Sequence, residues 1–277
     1  MIKDIVVNLS VGPARDVATD FAVSVAGTFD AHLVGIAFRY DPLIPVMIDR
    51  YGIPADVIES QRVENEKAAK AAVDRFDEAA KRVGVSAEAR ILEVPVASAP
   101  NVFASIARRF DLAVIGQPEP DKPALDRLIV EATLFESGRP LLVVPYIQRA
   151  GLKLDRVMVC WDGSRSAARA AADAMPLIAR SKATKVVIVA GELVKSDEMP
   201  GADIAHHLAR HGAKVEVKRI VSADNDVAST ILSHAADTSA DVLVMGGYGH
   251  SRLREFILGG ATRGILAAMT VPTLMSH

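Results

Sequence analysis

ADVLVMGGYGHSRLREFILGGATRGILAAMTVPTLMSH, Ala240–His277, reads as a strand, a glycine-rich turn, a helix and a second strand. The apolar run DVLVM stops at Gly246, and glycines recur at 247, 249, 259 and 260 before GATRGILAAM takes up helical spacing. A strand, turn and helix in that order form the βα unit of a parallel sheet, and the turn falls at the carboxyl edge, where doubly wound folds bind ligands. Glycine permits positive φ and close backbone approach, and the free N–H groups at a helix start favour an anion. Gly246 and Gly249 on one side, with Gly259 and Gly260 on the other, are therefore a candidate phosphate cradle. The plainer alternative is a turn followed by a cap.

Outward from this stretch the same alternation runs through the chain. Short Val/Ile/Leu runs predict strands at Asp4–Asn8, His32–Ala37, Ala87–Val94, Leu112–Gly116 and Leu141–Val144. A second set is predicted at Arg156–Cys160, Lys185–Ala190, Lys214–Val221, Val242–Met245 and Thr273–Met275. Ala-rich stretches with charges at helical spacing predict helices at Ala14–Ala26, Glu59–Val83, Ala99–Phe110 and Ala124–Glu136 in the first half. The second half predicts them at Ser166–Ala179, Ala202–His211, Val227–Ala236 and Gly260–Ala268. Three landmarks recur: KDIVVNLS faces LDRVMVCWDGS, FDLAVIGQPEP faces ADVLVMGGYGH, and GRPLLVVPY faces MTVPTLMSH. The expected fold is α/β, with two tandem doubly wound modules at 1–148 and 149–277. Each holds a five-stranded, mostly parallel sheet with helices on both faces. The extra length of the first half, Arg39–Ser60, is either a cover over the seam between the halves or a ligand lid.

A formal charge of -2 supplies no single-sign field that would favour nucleic acid, and no apolar run approaches the length of a membrane span. MIKDIVVNLS enters a strand-like run at once, without the pattern of a secretory signal, so a cytoplasmic location is expected. Cys160, the single cysteine, sits in the apolar VMVC and reads as a structural thiol. No GxxxxGK[ST] occurs, and neither first strand leads into GxGxxG, which removes support for a P-loop NTPase or a dinucleotide dehydrogenase.

The stretch MGGYGHSRLREFILGGATRGILAAMTVPTLMSH after ADVLV resembles the C-terminal signature of the universal stress protein family: glycine, two residues, glycine, nine residues, then glycine with Ser or Thr after it. Gly246, Gly249 and Gly259 match that spacing, and WDGS resembles the family's strand-end Asp-Gly-Ser. The resemblance implies a Rossmann-like, adenine-nucleotide-binding fold whose modules pair through their last strands, within one chain or as a homodimer. It implies that Asp162 contacts the adenosine from the turn it shares with Gly163 and Ser164, and that Val189 and Ala190 lie beside the base. By the same resemblance Met245, Gly246, Gly249, His250, Gly259, Gly260, Ala261 and Thr262 would form the strand end and loop around the phosphates, with Mg2+ accompanying the nucleotide.

Two departures qualify this set. Gly260 stands at the Ser/Thr position, and on a helix the two-residue offset to Thr262 turns that side chain by ~200°, away from the same face. In the first half Asn8-Leu9-Ser10 stands for Asp-Gly-Ser, and GQPEPDKPALDRLIVEATLFESG keeps only Gly116. There Glu119 and Asp121 would repel phosphate, and the prolines at 118, 120 and 123 remove donors, so one nucleotide per chain is the expected maximum.

The remaining candidates have plain readings beside them. His207 and His211 lie four apart on one helix face, next to His206, but AHHLARH lacks the HExxH glutamate and a third ligand, so a solvated face is expected. Arg252, Arg254 and Arg263 flank the glycines as phosphate partners or solvated charges. Trp161 is expected in packing, and Ser164 at a helix N-cap. Without a P-loop lysine, a carboxylate pair for metal or a base for water, the expectation is a stress-response module that binds nucleotide without efficient turnover. A slow ATPase using Asp162 and the glycine loop, and a nucleotide-free scaffold, are the alternatives.

Overall fold

The computed structural model describes residues 1–12, 15–41, 55–118, 125–190, 201–222, 226–247 and 260–277. Its first half runs β1 (Asp4–Asn8), α1 (Val17–Phe29), β2 (His32–Tyr40), α2 (Ala55–Val83), β3 (Ala87–Val94), α3 (Ala99–Ala107), β4 (Leu112–Gly116), α4 (Leu125–Glu136) and β5 (Leu141–Val144). The second half runs β6 (Arg156–Cys160), α5 (Arg165–Asp173), α6 (Met175–Ile178), β7 (Ala183–Ala190), α7 (Ala202–Arg210), β8 (Val215–Val221), α8 (Val227–Asp237), β9 (Val242–Gly246), α9 (Gly260–Ala268) and β10 (Thr273–Ser276).

The two expected five-stranded halves are continuous with one another. One ten-stranded sheet has the order β3-β2-β1-β4-β5-β10-β9-β6-β7-β8. Neighbours within each half are parallel, and β5 and β10 join the halves antiparallel. Leu142 lies opposite Leu274, flanked by Leu141 opposite Met275 and Val143 opposite Thr273. Aligned on their prolines, PLLVV and PTLMS make Leu142 and Leu274 counterparts, so a pseudo-two-fold axis passes through this pair.

Alternation along each strand divides the apolar residues between two faces. Val7, Val114, Val159, Val244 and Leu274 enter one core with side chains of α1, α2, α5, α6 and α7. Val6, Ile115, Met158, Met245 and Met275 enter the other with α3, α4, α8 and α9. Each fully buried Val, Leu, Ile, Met or Phe side chain contributes about 1.5–3 kcal/mol, and near-continuous apolar strands are what a parallel sheet covered on both faces requires.

Element ends differ from expectation for local reasons. α1 starts at Val17, because Asp16 is the residue that caps it by accepting from the Thr19 amide. β2 continues to Tyr40, paired with β3 up to Val94. α2 starts at Ala55, so the first-half excursion is shorter than expected; its residues 42–54 lie outside the described residues. The single helix expected over Ser166–Ala179 is two, because Pro176 lacks an amide to extend α5 and instead occupies the first turn of α6.

Candidate functional site

Strand order reverses between β6 and β9: from β6 the chain winds outward to β7 and β8, while β9 lies on its other side. Such a reversal opens a crevice at the carboxyl edge. The pairings Val157 with Val242 and Val159 with Val244 set the ends of the two strands side by side. Asp162 and Gly246 therefore flank the crevice. Cys160 packs against the second core, which also holds Val189 and Met245, and Trp161 against the first; the Asp162 carboxylate lies close enough to Cys160 to act on its thiol. α9 covers that same face, with Gly260 exposed at its start.

The turn after β6 is organised by its own polar atoms. Gly163 has φ +74. Asp162 Oδ1 accepts from the Ser164 amide at 2.9 Å, and Ser164 Oγ accepts from the Ala167 amide at 3.1 Å as the N-cap of α5. Ser164 is thus a capping residue. A Cβ on Gly246 would lie 2.6 Å from the Ala167 nitrogen and 2.7 Å from the Ser166 carbonyl carbon, so glycine is what lets β9 end against the start of α5. A Cβ on Gly247 would lie 2.6 Å from Leu134 Cδ2, on α4 of the other half. Gly247 was not singled out by spacing; its signal was the alignment of VMGG with VIGQ. The Gly247 amide donates to the Ser276 carbonyl at 2.9 Å, and its own carbonyl meets His277 Nδ1 at 3.0 Å.

Ala190 ends β7, beyond Val189. At α9, Ala261 is half-buried and Thr262 is buried while Gly260 is exposed, the opposed directions that a two-residue offset produces on a helix. Gly249, His250 and Gly259, with Arg252 and Arg254, lie outside the described residues. Cys160 is half-buried, and burial, then the Asp162 carboxylate, pushes its thiol up to about 12. His207 and His211 stack edge to face with centroids 4.9 Å apart. Among the described residues no group of three or more His, Cys, Asp or Glu could hold a metal ion, and no helix is long and apolar enough to cross a membrane.

The corresponding edge of the first half is built differently. The pairing of Ile5 with Leu112 corresponds to that of Val157 with Val242, which aligns Ser10, and not Asn8, with Asp162. The acid here is Asp16, buried, accepting from the Ser10 amide at 2.7 Å and from the amide and hydroxyl of Thr19 at 3.1 and 2.8 Å. Gln117 takes the place of Gly247. It is buried, donates from Nε2 to the Leu266 carbonyl at 2.9 Å, and accepts at Oε1 from the Tyr146 amide at 3.3 Å, binding the last turn of α9 to the first half. Glu119, Pro120, Asp121 and Pro123 lie outside the described residues.

Residues 153–277 match the model of the universal stress protein family. The second half is a universal stress protein domain. A universal stress protein of Synechocystis is 33% identical over 67 residues, which are 24% of this chain and 22% of that protein's length. The whole fold is shared more widely. A universal stress protein of Archaeoglobus fulgidus aligns over 99% of this chain and 95% of its own at TM-score 0.67 and 15% identity. A functionally unknown protein of Pseudomonas aeruginosa aligns over 99% of this chain and 92% of its own at TM-score 0.61 and 16% identity. The matched residues include both Asp162 and Gly246.

Proposed function

We propose that the chain is a stress-response protein that binds ATP or another adenine nucleotide in its second half, without efficient turnover. In this reading 149–277 is the binding module and 1–148 a non-binding partner module. The observation that carries it is the placement of Asp162 and Gly246 on either side of the strand-order reversal, beside the start of α9. An exposed carboxylate can accept from ribose hydroxyls or an amino group, while the first amides of α9 favour a phosphate. Among the described residues, Asp162 has a hydrogen bond only at Oδ1, leaving Oδ2 for a ligand. In the first half the acid is spent on the cap of α1, and Gln117 fills the position of Gly247. Magnesium would arrive with the phosphates. A nucleotide-free scaffold is the second reading, favoured by Gly260, which offers no hydroxyl where the family signature has Ser or Thr. Thermal unfolding with millimolar ATP, ADP or AMP separates the two. A ligand at about one hundred times its Kd stabilises by about 2.7 kcal/mol, whereas a scaffold shows no shift with any of the three.

A further inference from the structure

At the opposite, amino edge of the sheet, a pocket of about 560 Å³ opens below the C-terminal end of α8. Its floor includes Met158 and Ala240, and Arg156, Lys185, Lys214 and Glu216 line it. This volume lies within the range of small-molecule sites, and an apolar lining with a few charged groups is their usual composition. Three cations face one carboxylate.

The pseudo-symmetry of the chain shows what opens this space. Lys185 pairs with Met158 as Val34 pairs with Val6, so the two occupy equivalent positions on the inner row of their sheets. Val34 is buried in the second core, whereas Lys185 is a cation only 27% exposed in the same row. Ala240 likewise stands where the first half has Phe110, each followed by an aspartate that accepts from the backbone at the start of the first strand: Asp111 from Asp4 at 3.1 Å, Asp241 from Arg156 at 2.8 Å. The second half thus replaces a valine by a lysine and a phenylalanine by an alanine. The change from phenylalanine to alanine removes apolar volume, and the change from valine to lysine brings a positive charge to the same row.

The charges are only loosely committed. Lys185 Nζ is 3.6 Å from Glu216, whose side chain is 67% exposed, so solvent screens the pair from the carboxylate side. Arg156 Nη1 reaches the carbonyls of Thr238 and Ser239 only at 3.4 Å. Lys214 has no ion pair among the described residues. A cation on the inner row of a covered sheet carries a desolvation cost that a buried anion would offset.

We propose that this pocket is a second ligand site, distinct from the crevice at the carboxyl edge, and that it takes a small monocarboxylate with an apolar body. The carboxylate meets Lys185, with Arg156 and Lys214 adding positive potential, and the apolar body lies over Met158 and Ala240. Octanoate is the probe, titrated into the full chain by calorimetry, with octan-1-ol as the uncharged control. Octanoate should bind one per chain, at least about tenfold more tightly than octan-1-ol, since a charge-assisted contact contributes at least that factor. Lys185→Val should weaken octanoate by about tenfold or more while leaving octan-1-ol within about twofold. Ala240→Phe should weaken both ligands by filling the pocket, with the far-ultraviolet dichroism of the folded chain retained. The proposal is overturned if octanoate does not saturate at millimolar concentration, if it binds no better than octan-1-ol, or if Lys185→Val binds it like the parent. Asp162→Ala should leave octanoate binding unchanged; its loss there would place the ligand in the other crevice.

Discussion

Gly246→Ala probes the contact on which the crevice depends. An added Cβ stands 2.6 Å from the Ala167 nitrogen and the Ser166 Oγ and 2.7 Å from the Ser166 carbonyl carbon, where ordinary contact begins at 3.4 Å. Two of these atoms are backbone, so no rotamer change relieves the overlap; α5 or the end of β9 must retreat by about 0.8 Å, an overpacking strain in the upper part of the 1–3 kcal/mol range. The expected loss is about 3 kcal/mol, or a Tm fall of about 6–12 °C for a chain of this size. Gly260→Ala is the matched control. Nothing lies within 4 Å of its added Cβ, and it begins a helix, so it should stabilise by about 0.5–1 kcal/mol. Urea and thermal unfolding of the two variants measure both effects. A Gly246→Ala chain with the stability of the parent, or a Gly260→Ala chain destabilised as much as Gly246→Ala, would refute the close approach of β9 to α5.

Two further outcomes follow from the polar atoms. Asp16→Ala removes the cap of α1 and unpairs the Ser10 amide and the Thr19 hydroxyl, a cost of about 2–3 kcal/mol against about 1 kcal/mol for Ser164→Ala, measured as urea midpoints. Burial first, and then the charge of Lys185, hold the His234 imidazole below its usual value, and its Nε2 is buried without a partner among the described residues. A depressed histidine is neutral in the folded chain, while the unfolded chain takes up the proton first as pH falls past about 6.5. Its contribution is therefore present above that pH and lost below it, so His234→Gln should flatten the fall in urea midpoint between pH 7 and 5.

The strand cores were legible because a parallel sheet covered on both faces demands unbroken apolar runs, and DIVVN, LAVIG and RVMVC supply them. Helix ends were less legible. Asp16 rather than Ala14 begins α1 through a side-chain hydrogen bond, and Pro176 breaks what Ala-rich composition suggested was one helix. The glycine spacing pointed to the carboxyl edge of β9, but the reasons for individual residues there are tertiary. Gly246 is required by α5 and Gly247 by Leu134 of the other half, contacts that no local pattern encodes. Aligning Asn8 with the strand-end acid failed because the first half has a longer path from β1 to its helix cap, and only the ladder register reveals that Ser10 is the counterpart. The pocket at the amino edge was illegible for a similar reason: Lys185 looks like any strand charge until its row is known to face a core.

The proposed adenine-nucleotide site lies in the second half alone. Calorimetric titration of the full chain with ATP, for the parent, Asp162→Ala and Ser10→Ala, tests it most directly. The parent and Ser10→Ala should each bind one nucleotide per chain, and Asp162→Ala should lose about tenfold or more in affinity, as expected for removing a charged hydrogen-bond acceptor. Two nucleotides per chain, binding indifferent to Asp162, or no heat at millimolar ATP would contradict it.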